Sequence, residues 1–176
     1  VTRVGDLYAE VVAGAGVVLT PLAVADAGPM AVVLSDPALY RYTGGSPPSI
    51  AELEQQYRRQ TLGPWPSDER WLNWLIRTPD QTPVGYMQAT VTMSQKQAAL
   101  AWVIGCQYQR RGYATAAAHA ALTWLTDHGV TILTAHIRSG HLASEALAAG
   151  LGLQPTDDLD SDGERIWRWE ATNSSR

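Results

Sequence analysis

The chain holds very little lysine, very little cysteine and no long apolar run. Lys96 is the only lysine, so arginine supplies nearly all the positive charge, and the formal net charge is -4. Neutralising nucleic-acid phosphates takes clustered Lys and Arg, so no nucleic-acid partner is expected. Cys106 is the sole cysteine. That excludes an intrachain disulfide and a cysteine-based metal cluster, no metal site is expected, and a reducing, cytoplasmic setting fits best. No apolar stretch approaches the ~20 residues needed to span a bilayer, so the chain reads as soluble with no membrane partner. Val11 to Ala25 has the small apolar residues of a secretory core. Asp6 and Glu10 precede it where positive charge belongs, however, and Gly14, Gly16 and Pro21 interrupt it.

What is present suits one α/β domain. The 176 residues are 45% hydrophobic, ordinary for a globular chain with a sizeable core. Residues 1–16 read as a loosely attached extension, 17–170 as the domain and 171–176 as a tail. Val17 to Leu22 is the first expected strand and Asp26 to Ser35 a short helix. Pro37, Gly44-Gly45 and Pro47-Pro48 mark a long connection. Ser49 and Glu52 form a capping box that starts a helix running to about Gln60. Trp71 to Arg77, Val84 to Met93 and Ala98 to Gly105 follow as an antiparallel meander. The period then changes. Gly112 to His128 predicts a long Ala- and Leu-rich helix with Gly129 as its C-terminal cap. Thr131 to Ile137 is a buried-type strand and His141 to Ala149 a short helix. Leu151 to Gln154 and Arg165 to Glu170 then close the sheet across an acidic loop.

The informative stretch runs from Leu100 through the turn Gln109-Arg110-Arg111-Gly112-Tyr113-Ala114 into the long helix. The first N–H groups of a helix lack intrahelical partners, and its dipole makes that end positive. A pyrophosphate placed there is held by several main-chain donors together. Gly112 admits its oxygens to the backbone, Ala114 is small, and Arg110 and Arg111 add charge. A plain basic surface turn has the same composition, and it is the order of strand, turn and helix around it that favours phosphate binding.

This turn resembles the Q/R-x-x-G-x-G/A signature of the GNAT superfamily of N-acetyltransferases. His141-Leu142-Ala143-Ser144 followed by Gly150-Leu151-Gly152-Leu153 resembles its RimJ/RimL-type branch. The resemblance implies an α/β fold with a mixed, mostly antiparallel, splayed central sheet flanked by helices. It also implies acetyl-CoA as cosubstrate. Main-chain groups of Trp102, Val103 and Ile104 would pair with the pantetheine arm. Gln109, Arg110, Arg111, Gly112, Tyr113, Ala114 and Thr115 would hold the diphosphate. His141 stands where the family has an arm-holding Asn, and Ala148 where many relatives carry a tyrosine that protonates the leaving thiolate. Ser144 or a water would supply that proton, which a thiol with pKa near ~8.5 needs less than an alkoxide does.

The acceptor must lose a proton before it attacks. His136, on the strand beside the expected cleft, is the candidate base, although a strand histidine also serves as a hydrogen-bonded structural residue. Asp68 and Glu69 precede a strand expected near the acceptor and read as either further candidate bases or exposed loop carboxylates. Tyr42, Trp65, Tyr86 and Gln88 are candidates for lining the acceptor site or packing the core. The run Asp157, Asp158, Asp160, Asp162, Glu164 reads as either an amine-attracting or a solvated hairpin. Cys106 reads as a packed residue.

The sequence therefore predicts transfer of an acetyl group from acetyl-CoA to a primary amine, a protein N-terminus or a small molecule, by direct attack. The alternative from another class is a non-catalytic acyl-CoA-binding regulatory module. Tryptophans near expected sheet edges, together with family habit, point to a homodimer.

Overall fold

The computed structural model describes residues 7–64 and 68–171. Eight strands form one sheet in the order β1-β2-β3-β4-β5-β6-β8-β7. They are β1 (Val12–Gly14), β2 (Val17–Pro21), β3 (Glu69–Arg77), β4 (Pro83–Thr92), β5 (Gln97–Ile104), β6 (Ile132–Ile137), β7 (Gln154–Leu159) and β8 (Arg165–Glu170). Every neighbouring pair is antiparallel except β5 and β6, which run parallel. The helices are α1 (Ala27–Val33), α2 (Tyr40–Thr43), α3 (Ile50–Leu62), α4 (Tyr113–Asp127) and α5 (Leu142–Gly150).

Alternation along the strands divides the side chains between two cores. Leu72, Trp74 and Ile76 of β3, Met87 and Ala89 of β4, and Leu133, Ala135 and Ile137 of β6 pack with Ala117, Ala118, Ala121 and Leu125 of α4. The alanine-rich face of α4 lets its backbone lie close on the sheet. Leu75 of β3 instead packs with Met30, Val33, Leu53 and Tyr57 of α1 and α3, with Tyr86 and Val103 against them. Each fully buried large side chain contributes roughly 1.5–3 kcal/mol.

The capping box at α3 forms as expected: Ser49 N–H donates to Glu52 Oε2 at 2.7 Å and Glu52 N–H to Ser49 Oγ at 3.3 Å. Asp26, at the N-terminus of α1, receives Arg77 Nη2 at 2.7 Å, which ties α1 to β3.

Two expectations are corrected. Residues 7–14 are integral to the fold: β1 pairs with β2, Leu7 and Val12 are buried, and Trp74 Nε1 donates to the Glu10 carbonyl at 2.8 Å. The closing strand begins at Gln154, not at Leu151. Leu151 to Leu153 are spent on ending α5, where Gly152 (φ 87°) and Leu153 return their N–H groups to Ala149 and Ala148. Much of the expected acidic loop therefore lies in β7. At the other end, Ala171 N–H donates to Thr131 O. Residues 1–6, Trp65 and 172–176 lie outside the described residues.

Candidate acetyl-transfer site

The parallel pairing of β5 and β6 runs from Gln97 with Ile132 to Leu100 with Ala135 and then stops. Beyond it β5 continues to Ile104 and β6 to Ile137, so the sheet parts on this line. Gly105 N–H donates to Val84 O, whereas Lys96 O receives Thr131 and Ile132 N–H. Because main-chain direction alternates along a strand, the even-numbered residues of β5 face β6. Trp102 and Ile104 thus turn their main chains into the gap. Val103 turns its own toward β4, and its side chain lines a cavity on the other side, which corrects its expected pairing role.

One helical turn, Cys106–Tyr108, carries the chain to the predicted phosphate turn. Arg110 has φ 59° and Gly112 φ 81°. Left-handed residues in a turn direct neighbouring N–H groups into a common concavity that suits anions. For Arg110 the conformation is strained, at a cost of about 1–2 kcal/mol. Gly112 is the residue before α4, and no side chain caps that helix end. A Cβ added to Gly112 would meet nothing within 4 Å. The N–H groups of Tyr113, Ala114 and Thr115 open into this unobstructed space, which fits a diphosphate. Arg110 and Arg111 are exposed, and the Arg111 guanidinium rests 6.0 Å from the Tyr108 ring centre. The Gln109 side chain is engaged elsewhere: its Nε2 donates to Ile104 O at 3.0 Å, pinning the turn to the end of β5.

His141 caps α5. Its Nδ1 accepts from Ser144 N–H at 3.3 Å, and its Nε2 lies 3.5 Å from Ser144 Oγ. The ring also packs against Tyr42 of α2, with centres 4.2 Å apart. Both ring nitrogens are thus turned toward Ser144, leaving the Ser144 hydroxyl hydrogen unassigned to either. Ala148 is fully buried, so α5 offers no phenol at that position.

His136 is the first residue of β6 past the parting. Its Nδ1 lies 2.8 Å from Asp160 Oδ2. Asp160 Oδ1 also receives the N–H groups of Asp162 and Glu164 at 2.9 Å each. The Glu164 N–H and then the His136 bond hold the Asp160 carboxyl below the usual carboxylate range. An anionic Asp160 makes Nδ1 the donor and leaves Nε2 as the basic nitrogen. Glu164 lies 3.8 Å from Arg138, while Asp157, Asp158 and Asp162 are exposed. Burial, then the hydrogen bond to Asp36, pushes the Cys106 thiol up, away from the reactive thiolate.

On the α1–α3 side lies a cavity of about 230 Å³, bounded by Tyr40, Tyr57, Tyr86, Asn73, Gln88 and Val103 among others. Asn73, Tyr40 and Tyr57 escaped the sequence reading. A signal for Asn73 was present, since it interrupts the apolar run Trp71-Leu72-Asn73-Trp74-Leu75 and a buried amide there requires partners. The tyrosines carried none, because they sit on helices far away in sequence.

A comparison with curated protein sequences finds no significant match. Among solved structures the chain is similar to a GNAT-family acetyltransferase from Bacillus anthracis, with 13% identity, 91% of this chain and 98% of that one covered, and a TM-score of 0.76. It is similar to Mycobacterium smegmatis RimJ in complex with CoA-disulfide, with 17% identity, 94% and 88% covered, and a TM-score of 0.77. An aminoglycoside acetyltransferase in complex with coenzyme A shares 15% identity over 88% and 94%, with a TM-score of 0.73. These likenesses show the fold. Residues 17–154 match the acetyltransferase (GNAT) domain family. With its open, mostly antiparallel eight-stranded sheet, the chain belongs to that family.

Proposed function

We propose that the protein transfers an acetyl group from acetyl-CoA to a primary amine by direct attack. One observation carries this reading. The sheet parts after Leu100 and Ala135, and the strand left with a free edge leads through the turn ending at Gly112 into a helix whose first N–H groups have no side-chain cap among the described residues. A diphosphate on Tyr113 to Thr115 would lay its extended arm along Trp102 and Ile104.

The residues divide the work. An N–H of that free edge polarises the thioester carbonyl in a site where no reorganisation is needed. His136 Nε2, with Asp160 holding the ring, takes the proton from the attacking nitrogen. The new C–N bond forms as the C–S bond breaks, and the Ser144 hydroxyl or water returns a proton to the sulfur. The acceptor is a protein N-terminus or a small-molecule amine, and the fold likeness to RimJ supports the RimJ/RimL-type branch.

The test is a screen of primary amines with purified protein, following release of free coenzyme A thiol. Turnover that depends on the amine supports the reading. Tight acetyl-CoA binding with no turnover for any amine class would replace it with an acyl-CoA-binding module.

A further inference from the structure

The register aligns one row of side chains across the acceptor face. Asn73 pairs with Gln88, Gln88 with Ala101, and Ala101 is level with His136 because Leu100 pairs with Ala135. Ala101 is exposed and small, so β5 places only a methyl group on this row between Gln88 and His136. Gln88 stands one strand spacing (~4.8 Å) from Ala101, and His136 faces it from the far side of the parting.

Hydrogen bonding fixes which way the Gln88 amide faces. Asn73 Nδ2 donates to the Gln60 carbonyl at 3.3 Å, and Gln88 Nε2 donates to Asn73 Oδ1 at 2.8 Å. A main-chain carbonyl only accepts, so Asn73 must present its nitrogen there and its oxygen to Gln88. The relay leaves Gln88 Oε1, at its end, as an acceptor with no partner among the described residues. Among the described residues, no charged side chain lines the adjoining cavity. Its phenols stay neutral: burial pushes Tyr86 up to about 12 and raises Tyr57 as well. The buried Tyr57 hydroxyl has no hydrogen-bond partner among the described residues.

Resting on the transfer reading above, we infer that Gln88 Oε1 receives an N–H of the acceptor's amino group, and that the neighbouring cavity admits only an uncharged, residue-sized substituent. Asn73 is a positioning residue that acts through Gln88. A second charge on the substituent would be buried without a partner, which is costly.

The experiment measures equilibrium binding of leucine amide, arginine amide and aspartate amide in the absence of acetyl-CoA. These probes share one amino group and differ in substituent. Leucine amide should bind at least ~10-fold tighter than the other two. Gln88→Met, similar in length and unbranched, should weaken leucine amide by about 5–10-fold. Asn73→Ala should do the same, but add nothing in the Gln88→Met background. Equal binding of the three amides, no binding of any, an unaffected Gln88→Met variant, or additive effects in the double variant would each overturn the inference. Acetyl-CoA affinity, measured separately by calorimetry, reports on the transfer reading. Its loss beside an intact leucine amide preference would sink only that reading.

Discussion

The two walls of the cleft are built differently. On the side proposed for the cofactor the groups on offer are main-chain: the edge of β5 past Leu100, the left-handed Arg110 and Gly112, and the start of α4. On the side proposed for the acceptor they are side chains gathered from β3, β4, β6, α2 and α3. A wall of backbone tolerates most substitutions and fails at a few positions. A wall of side chains can be retuned one residue at a time without disturbing the other.

The strongest break in this comparison is Gly112→Glu. Any Cβ in that left-handed conformation costs about 1–2 kcal/mol, and the carboxylate would face the phosphates. Acetyl-CoA affinity by calorimetry should fall at least ~100-fold, whereas Gly112→Ala, which meets nothing within 4 Å, should lose on the order of 10-fold from strain alone.

Next comes His136→Gln, on the acceptor wall. It should lower kcat by about 100-fold while leaving acetyl-CoA affinity unchanged, and an unchanged kcat would give proton removal to water. Asp160→Asn should lower kcat less and should also change the acid limb of stability. The folded Asp160 carboxyl lies below its ordinary value. Its contribution is therefore complete above the unfolded pKa of ~3.9 and is lost as pH falls through the folded value. Acid unfolding of Asp160→Asn should be correspondingly flatter.

Asp26→Ala tests whether the acceptor wall is anchored independently. The Asp26–Arg77 pair is partly buried, so its loss should cost roughly 2 kcal/mol in urea unfolding, between exposed and fully buried pairs. Acetyl-CoA affinity per folded molecule should not move. The smallest effect belongs to Ser144→Ala. A thiol with pKa near ~8.5 leaves readily as its anion, so kcat should drop less than ~10-fold.

The same contrast decided what could be read from the sequence. The capping box at Ser49 and Glu52, the start of α4 at Gly112 and the β3–β5 meander are local patterns, each written in a few adjacent residues, and each formed where expected. Pairings across long separations were not legible. Trp74 reaching the Glu10 carbonyl is one, and with the β1–β2 pairing it ties residues 7–14 to the sheet. The Asn73 relay and the Tyr40–Tyr57–Tyr86 cavity are others, each spanning segments that only the folded sheet brings together.

The sequence by itself determined the order of the strands from β2 onward, the glycine turn that opens α4 and the family, because helix caps, glycine turns and strand periods are set by neighbouring residues. Only the tertiary structure decided that the Val103 main chain faces β4, that His136 leans on Asp160, and that Gln88 keeps an oxygen unpartnered among the described residues. Those facts depend on register and on which partner already occupies each donor, and no local stretch of chain contains either.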